Sequence, residues 1–248
     1  MTEILKKIYF LPFFLFLASC NNQESDAVSL NSLIIPEFTY KQDFFYCDLE
    51  ESSSLINLEA FLSSLVAKHK KDLSKLNTID ILFPDGQEEV SKFIFSIRSN
   101  NKPDALKRFI DILEIEGFSR ISSCIFSIYQ SNGLDMVNPL ENNSNDFINI
   151  EILRCFYNAG YNYGTFRIAT DRFINSVERL KLPYSLSYIN SPETVNGFLW
   201  INSFTINDYK EFLEKNWIKD DESKAIKDEF NENATCLDSK KYKSYRLI

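Results

Sequence analysis

The strongest constraint on this chain is an order of apolar segments that occurs twice. In the first half, residues 38–49 (FTYKQDFFYCDL) read as a strand. Leu58, Phe61, Leu62, Leu65 and Leu73 then fall on one face of a helix over 58–73. Two strands follow, at 78–83 and 90–99, separated by the turn signal Pro84-Asp85-Gly86. Pro103 opens a second helix, with Leu106, Phe109, Ile110 and Leu113 at i, i+3, i+4 and i+7, and Gly117 stops it. A strand at 122–130 ends the unit. The second half repeats the order: strand 149–157, helix 163–182, strand 183–189, strand 198–204, helix 206–218, a short helix at 223–233 and a final extended stretch. Residues 131–148 lie between the halves and read as an Asn-rich linker. The domain organisation is then 36–130 and 149–248.

Cysteines reinforce the repeat. Each half carries one in its first strand and one near its last, 77 residues apart (Cys47, Cys124) and 81 residues apart (Cys155, Cys236). Four cysteines in an exported chain suggest disulfides, and spacing alone leaves three pairings open.

A β-α-β-β-α-β order is the ferredoxin-like arrangement, with helices on one face of the sheet only. Phe93-Ile94-Phe95 and Leu199-Trp200-Ile201 put apolar residues on both strand faces, so the second face needs cover as well. Two sheets packed face to face supply it. In this the chain resembles the dimeric α+β-barrel superfamily, which includes small monooxygenases of the antibiotic-biosynthesis type and stress-responsive barrel proteins. The resemblance implies an α+β fold in which two tandem ferredoxin-like halves form a barrel within one chain. In such a sheet the first and last strands are neighbours, which implies the pairs Cys47–Cys124 and Cys155–Cys236. The resemblance rests on pattern, and no catalytic residue is carried over from it.

The N-terminus addresses location. Lys6 and Lys7 precede an apolar run, Ile8–Leu17, whose ten residues rise only about 15 Å as a helix, half of a bilayer core. A basic start, a short apolar stretch and small residues make a secretory signal over 1–19. Leu17-Ala18-Ser19-Cys20 resembles the lipobox of bacterial lipoproteins, which implies cleavage before Cys20, lipid on its sulfur, and a tether over 20–35. Asn21 points to the outer membrane, facing the periplasm. Loss of Glu3, Lys6 and Lys7 takes the net charge from −8 to −9. So acidic a chain has no electrostatic footprint for nucleic acid. Its expected partners are the membrane, through the lipid, and a small molecule. The sequence sets no oligomeric state.

Motifs for chemistry are sparse. There is no Cys-x-x-Cys, no His-Glu-x-x-His, no glycine-rich phosphate loop and a single histidine, His69, at the polar end of a helix. The sequence calls for no cofactor and no metal, and the expected role is non-catalytic binding or assembly. The alternatives are a barrel-type monooxygenase or isomerase, which needs few side chains, and a structural envelope protein. Residues 155–173 are dense in aromatics, with Gly160, Gly164 and a helical Arg167–Asp171 pair. Strand alternation groups Arg154 with Ile150, Ile152 and Phe156, and Trp200 with Phe198, Asn202 and Phe204. If both faces look into the barrel, Arg154, Trp200 and Asn202 line one apolar cavity, with Tyr161 and Tyr163 near its mouth. The bland alternative for Arg154 is an edge position paired with a carboxylate.

Overall fold

The computed structural model describes residues 35–86, 91–100, 103–126, 130–140, 147–181, 183–190, 196–205, 211, 215, 217–218 and 221–248. The signal, Cys20, the tether up to residue 34 and most of the expected 206–218 helix lie outside these residues. The chain runs β1 (Tyr40–Leu49), α1 (Leu55–Leu73), β2 (Thr78–Pro84), β3 (Lys92–Ser99), α2 (Pro103–Ile115), β4 (Ser122–Phe126) and β5 (Ser131–Val137). It continues through β6 (Ile148–Tyr157), α3 (Tyr163–Leu180), β7 (Tyr184–Asn190), β8 (Gly197–Phe204), α4 (Asp221–Asn233) and β9 (Ala234–Arg246).

Helix starts follow local chemistry. Ser54 caps α1: its hydroxyl accepts from the Asn57 amide at 3.3 Å while the Asn57 side chain accepts from the Ser54 amide at 3.0 Å. Asn162 and Thr165 form the same reciprocal cap on α3. Among the described residues, no helix is long and apolar enough to cross a membrane.

Strands pair in the order β3-β2-β9-β6-β8-β7-β5-β1, and β1 pairs with β3 to close the ring; β4 adds to β1 beyond β5. Two ferredoxin-like halves thus form one α+β barrel. Closure comes from two strands that cross between halves. β9 pairs with β6 of its own half and then with β2 of the other. β5 pairs with β1 and then with β7. The expected linker therefore needs correction: Ser131–Val137 is a barrel strand. Its Asn-Gly looks like a turn, but Gly133 is a packing requirement. A Cβ there would stand 2.0 Å from Cε2 of Tyr40, so only glycine lets the Tyr40 ring lie against β5.

Alternation divides the core into three layers. Phe45, Cys47, Phe93, Phe95 and Ile97 face α1 and α2. Cys155, Tyr188, Phe198, Trp200 and Phe204 face α3 and α4. Tyr40, Phe44, Leu82, Ile94, Ile189, Ile201 and Tyr242 fill the barrel. Burial of each large side chain contributes roughly 1.5–3 kcal/mol. On the helix-facing side, disulfides join Cys47 to Cys124 and Cys155 to Cys236, in each case residues directly opposite on paired strands.

Candidate functional site at the barrel mouth

The first strand of each half sends a row of side chains inward. On β1 the row is Tyr40, Gln42, Phe44, Tyr46; on β6 it ends in Ile152 and Arg154. Counted from Cys47 and Cys155, Phe44 matches Ile152 and Tyr46 matches Arg154. All four line one open cavity of about 190 Å³, together with Leu199, Asp238, Lys240 and Tyr242. The cavity therefore lies between the first strands of the two halves. Its walls differ in chemistry. β1 supplies two aromatic rings, whereas β6 and β9 supply every charge.

A bulge in β9 makes the charged wall. Ile152 pairs with Lys240 and Arg154 with Leu237, so β9 holds one residue more than β6 over this stretch. Asp238 sits in the bulge at φ 53°, in the left-handed region that aspartate tolerates better than most residues. The turn aims its carboxylate at Arg154, whose guanidinium donates to Asp238 Oδ2. Both side chains are about half exposed (52% and 55%), so the pair stabilises by at most about 1 kcal/mol. Lys240 has no ion-pair partner among the described residues.

Behind the apolar middle of the barrel, about 20 Å from Tyr46 along β1, a second polar group closes the interior. Arg98 Nη1 donates to both oxygens of Asp135 at 3.0 and 2.9 Å. Tyr40 and Ser187 donate hydroxyls to Asp135 Oδ1 at 3.0 and 2.6 Å. The Arg98 guanidinium also lies 4.5 Å from the Tyr40 ring centroid. Burial pushes the Tyr40 phenol well above its ordinary pKa, against the pull of Arg98, and keeps it a donor. Asp80, paired with Arg246, is pushed upward in pKa by burial despite that partner. These charges are mutually satisfied, and the group acts as a clasp between the crossing strands.

The structure separates the residues that the sequence grouped. Arg154 does look into the barrel mouth. Trp200 does not: Leu153 is its partner across the β6–β8 ladder and Arg154 pairs with Leu199, so Arg154 and Trp200 lie on opposite faces. Trp200 packs edge-on against Phe166 of α3 and Phe230 of α4, with ring centroids 5.3 and 5.7 Å apart. Asn202 is on the same helix-facing side, accepting from the Tyr184 hydroxyl at 2.8 Å and donating to Glu151 at 3.0 Å. Tyr163 is buried there against Tyr188, and Tyr161 stands exposed at the start of α3. The alternation on each strand was legible, but the register between strands sets which rows share a face. Phe44, Tyr46, Asp238, Lys240 and Tyr242 escaped the sequence reading. The alternation Lys240, Tyr242, Ser244 was the available signal for three strand positions on one face. Among the described residues, no group of three or more His, Cys, Asp or Glu is placed to hold a metal ion.

No family model matches the chain, and no curated protein matches it in sequence. Solved structures do match in fold. A candidate monooxygenase from Lactobacillus acidophilus is similar at TM-score 0.53 and 7% identity, over 84% of this chain and 95% of that one. A candidate monooxygenase from Fusobacterium nucleatum is similar at TM-score 0.52 and 10% identity, over 86% and 94%. A variant chlorite dismutase from Candidatus Nitrospira defluvii, in complex with cyanide, is similar at TM-score 0.57 and 8% identity, over 88% and 95%. The fold is the α+β barrel. Identities this low carry the fold and leave the site to be argued from this chain's own residues.

Proposed function

We propose that the barrel mouth is a small-molecule site, and that the protein is a barrel-type enzyme of the monooxygenase or isomerase kind held at the cell envelope by lipid on Cys20. The carrying observation is the cavity of about 190 Å³, apolar on one wall and charged on the other. Apolar concavities with a few fixed polar groups are the usual form of a small-molecule site. The names of the fold neighbours, candidate monooxygenases and a chlorite dismutase, favour catalysis over silent binding. Tyr46, Tyr242, Lys240 and Asp238 are the groups that could donate or accept a proton in the mouth, and Arg154 is oriented by Asp238. A binding module would use the same cavity, and consumption of the bound molecule distinguishes the two.

Leu199→Trp tests the reading by filling the cavity. Native mass spectrometry of the full chain should find a small molecule on the wild type and none on Leu199→Trp. An adduct retained by the variant would contradict the site. For the anchor, Cys20→Ser should abolish metabolic labelling by a palmitate analogue. Continued labelling would remove the lipid from the proposal.

A further inference from the structure

The mouth carries enough detail to narrow what it holds. Its volume of about 190 Å³ is slightly above the roughly 150 Å³ that accommodates benzene in a protein interior, which suits one six-membered ring with a small substituent. Phe44, Tyr46 and Leu199 offer that ring an apolar wall. The rim is apolar too: Ile125 pairs with Tyr46 and Leu237 with Arg154, and both are well exposed, at 76% and 49%. These two follow Cys124 and Cys236 directly, so they are equivalent positions of the two halves.

Charge on the opposite wall is unbalanced. Arg154 and Lys240 face one carboxylate, Asp238, which is engaged with Arg154. The residues lining the cavity thus carry one net positive charge in a chain whose net charge is −8. A bare inorganic anion would leave the aromatic wall unused, and a neutral ring would leave Lys240 unmatched.

We infer that the barrel mouth binds a single-ring organic monoanion, with its ring against Phe44, Tyr46 and Leu199 and its carboxylate beside Lys240. This rests on the reading of the mouth as a small-molecule site. Arg154 is engaged by Asp238, which leaves Lys240 as the cation of the cavity lining that has no ion-pair partner among the described residues.

The test is calorimetric titration of the full chain with benzoate, with benzamide as its neutral near-isostere, and with acetate as the charge without the ring. Benzoate should bind at least about tenfold more tightly than either, the scale of one charge-assisted hydrogen bond. Lys240→Gln should bring benzoate down to the level of benzamide. Asp238→Asn, which tolerates the left-handed backbone and releases Arg154, should tighten benzoate. Lys240 is exposed and Asp238 half exposed, and unchanged circular dichroism would establish that both variants fold. Equal binding of benzoate and benzamide to the wild type, or a preference for benzoate that survives Lys240→Gln, would overturn the inference while leaving a small-molecule site standing. Failure of all three probes would overturn both.

Discussion

Gly133→Ala puts the barrel's closure under a single-atom load. The added Cβ would lie 2.0, 2.4 and 2.6 Å from Cε2, Cζ and Cδ2 of Tyr40. The ring cannot slide aside in place, because its hydroxyl donates to Asp135 at 3.0 Å and Arg98 covers its face at 4.5 Å. It must leave. The loss includes burial of the ring, about 1.5–3 kcal/mol, and a hydrogen bond to a charged acceptor, about 1.5–3 kcal/mol. Because Arg98 and Asp135 stay paired with each other, the lower end applies, and Gly133→Ala should cost about 3 kcal/mol. In a Tyr40→Ala background the clash disappears. Ala at 133 should then be neutral, or stabilising by up to about 1 kcal/mol through a stiffer unfolded chain. Urea denaturation of the four proteins of this cycle gives the coupling directly, expected above about 2 kcal/mol. An equal cost of Gly133→Ala in both backgrounds would refute the account of how β5 locks onto β1.

Two further perturbations test the frame that presents the mouth. Replacing Cys47 and Cys124 together by alanine opens a loop spanning 77 residues and should destabilise by about 4 kcal/mol in the chain-entropy description; denaturation midpoints that are identical with and without reductant would contradict it. Asp43 is buried at 3% exposure and accepts from Gln130 at 3.0 Å, and burial raises its folded pKa above the ordinary 3.8. A raised carboxyl pKa contributes stability that is complete below the unfolded value and is lost as pH rises through the folded one. Asp43→Asn should therefore flatten the stability profile on the alkaline side of 3.8; an unchanged profile would show that this carboxyl does not carry it.

Much of the architecture was legible because it is written in periodicity. Leu58, Leu62 and Leu65 announce α1, and the alternation around Cys47 and Cys155 announces β1 and β6. The barrel followed from strands that are apolar on both faces. β5 was not legible, since a strand whose inward residues are Ser131, Gly133 and Asp135 carries no apolar alternation on that face. Gly133 and Asp135 serve the clasp with Tyr40 and Arg98, which involves strands far away in sequence. The site failed at one step of register. Alternation puts Arg154 inward on β6, but nothing local distinguishes Leu199-facing-in from Trp200-facing-in on β8, and the register chooses Leu199. The bulge at Asp238 was equally hidden: it is defined against β6, more than 80 residues earlier in the chain.

Binding at the barrel mouth can be seen directly by a crystallographic soak of the full chain with a mixed set of single-ring fragments, neutral and anionic. Fragment density should appear in the mouth, between Phe44 and Leu199 and within reach of Lys240, and should disappear in Leu199→Trp. Fragments bound only elsewhere on the molecule, with the wild-type mouth holding ordered solvent alone, would contradict it.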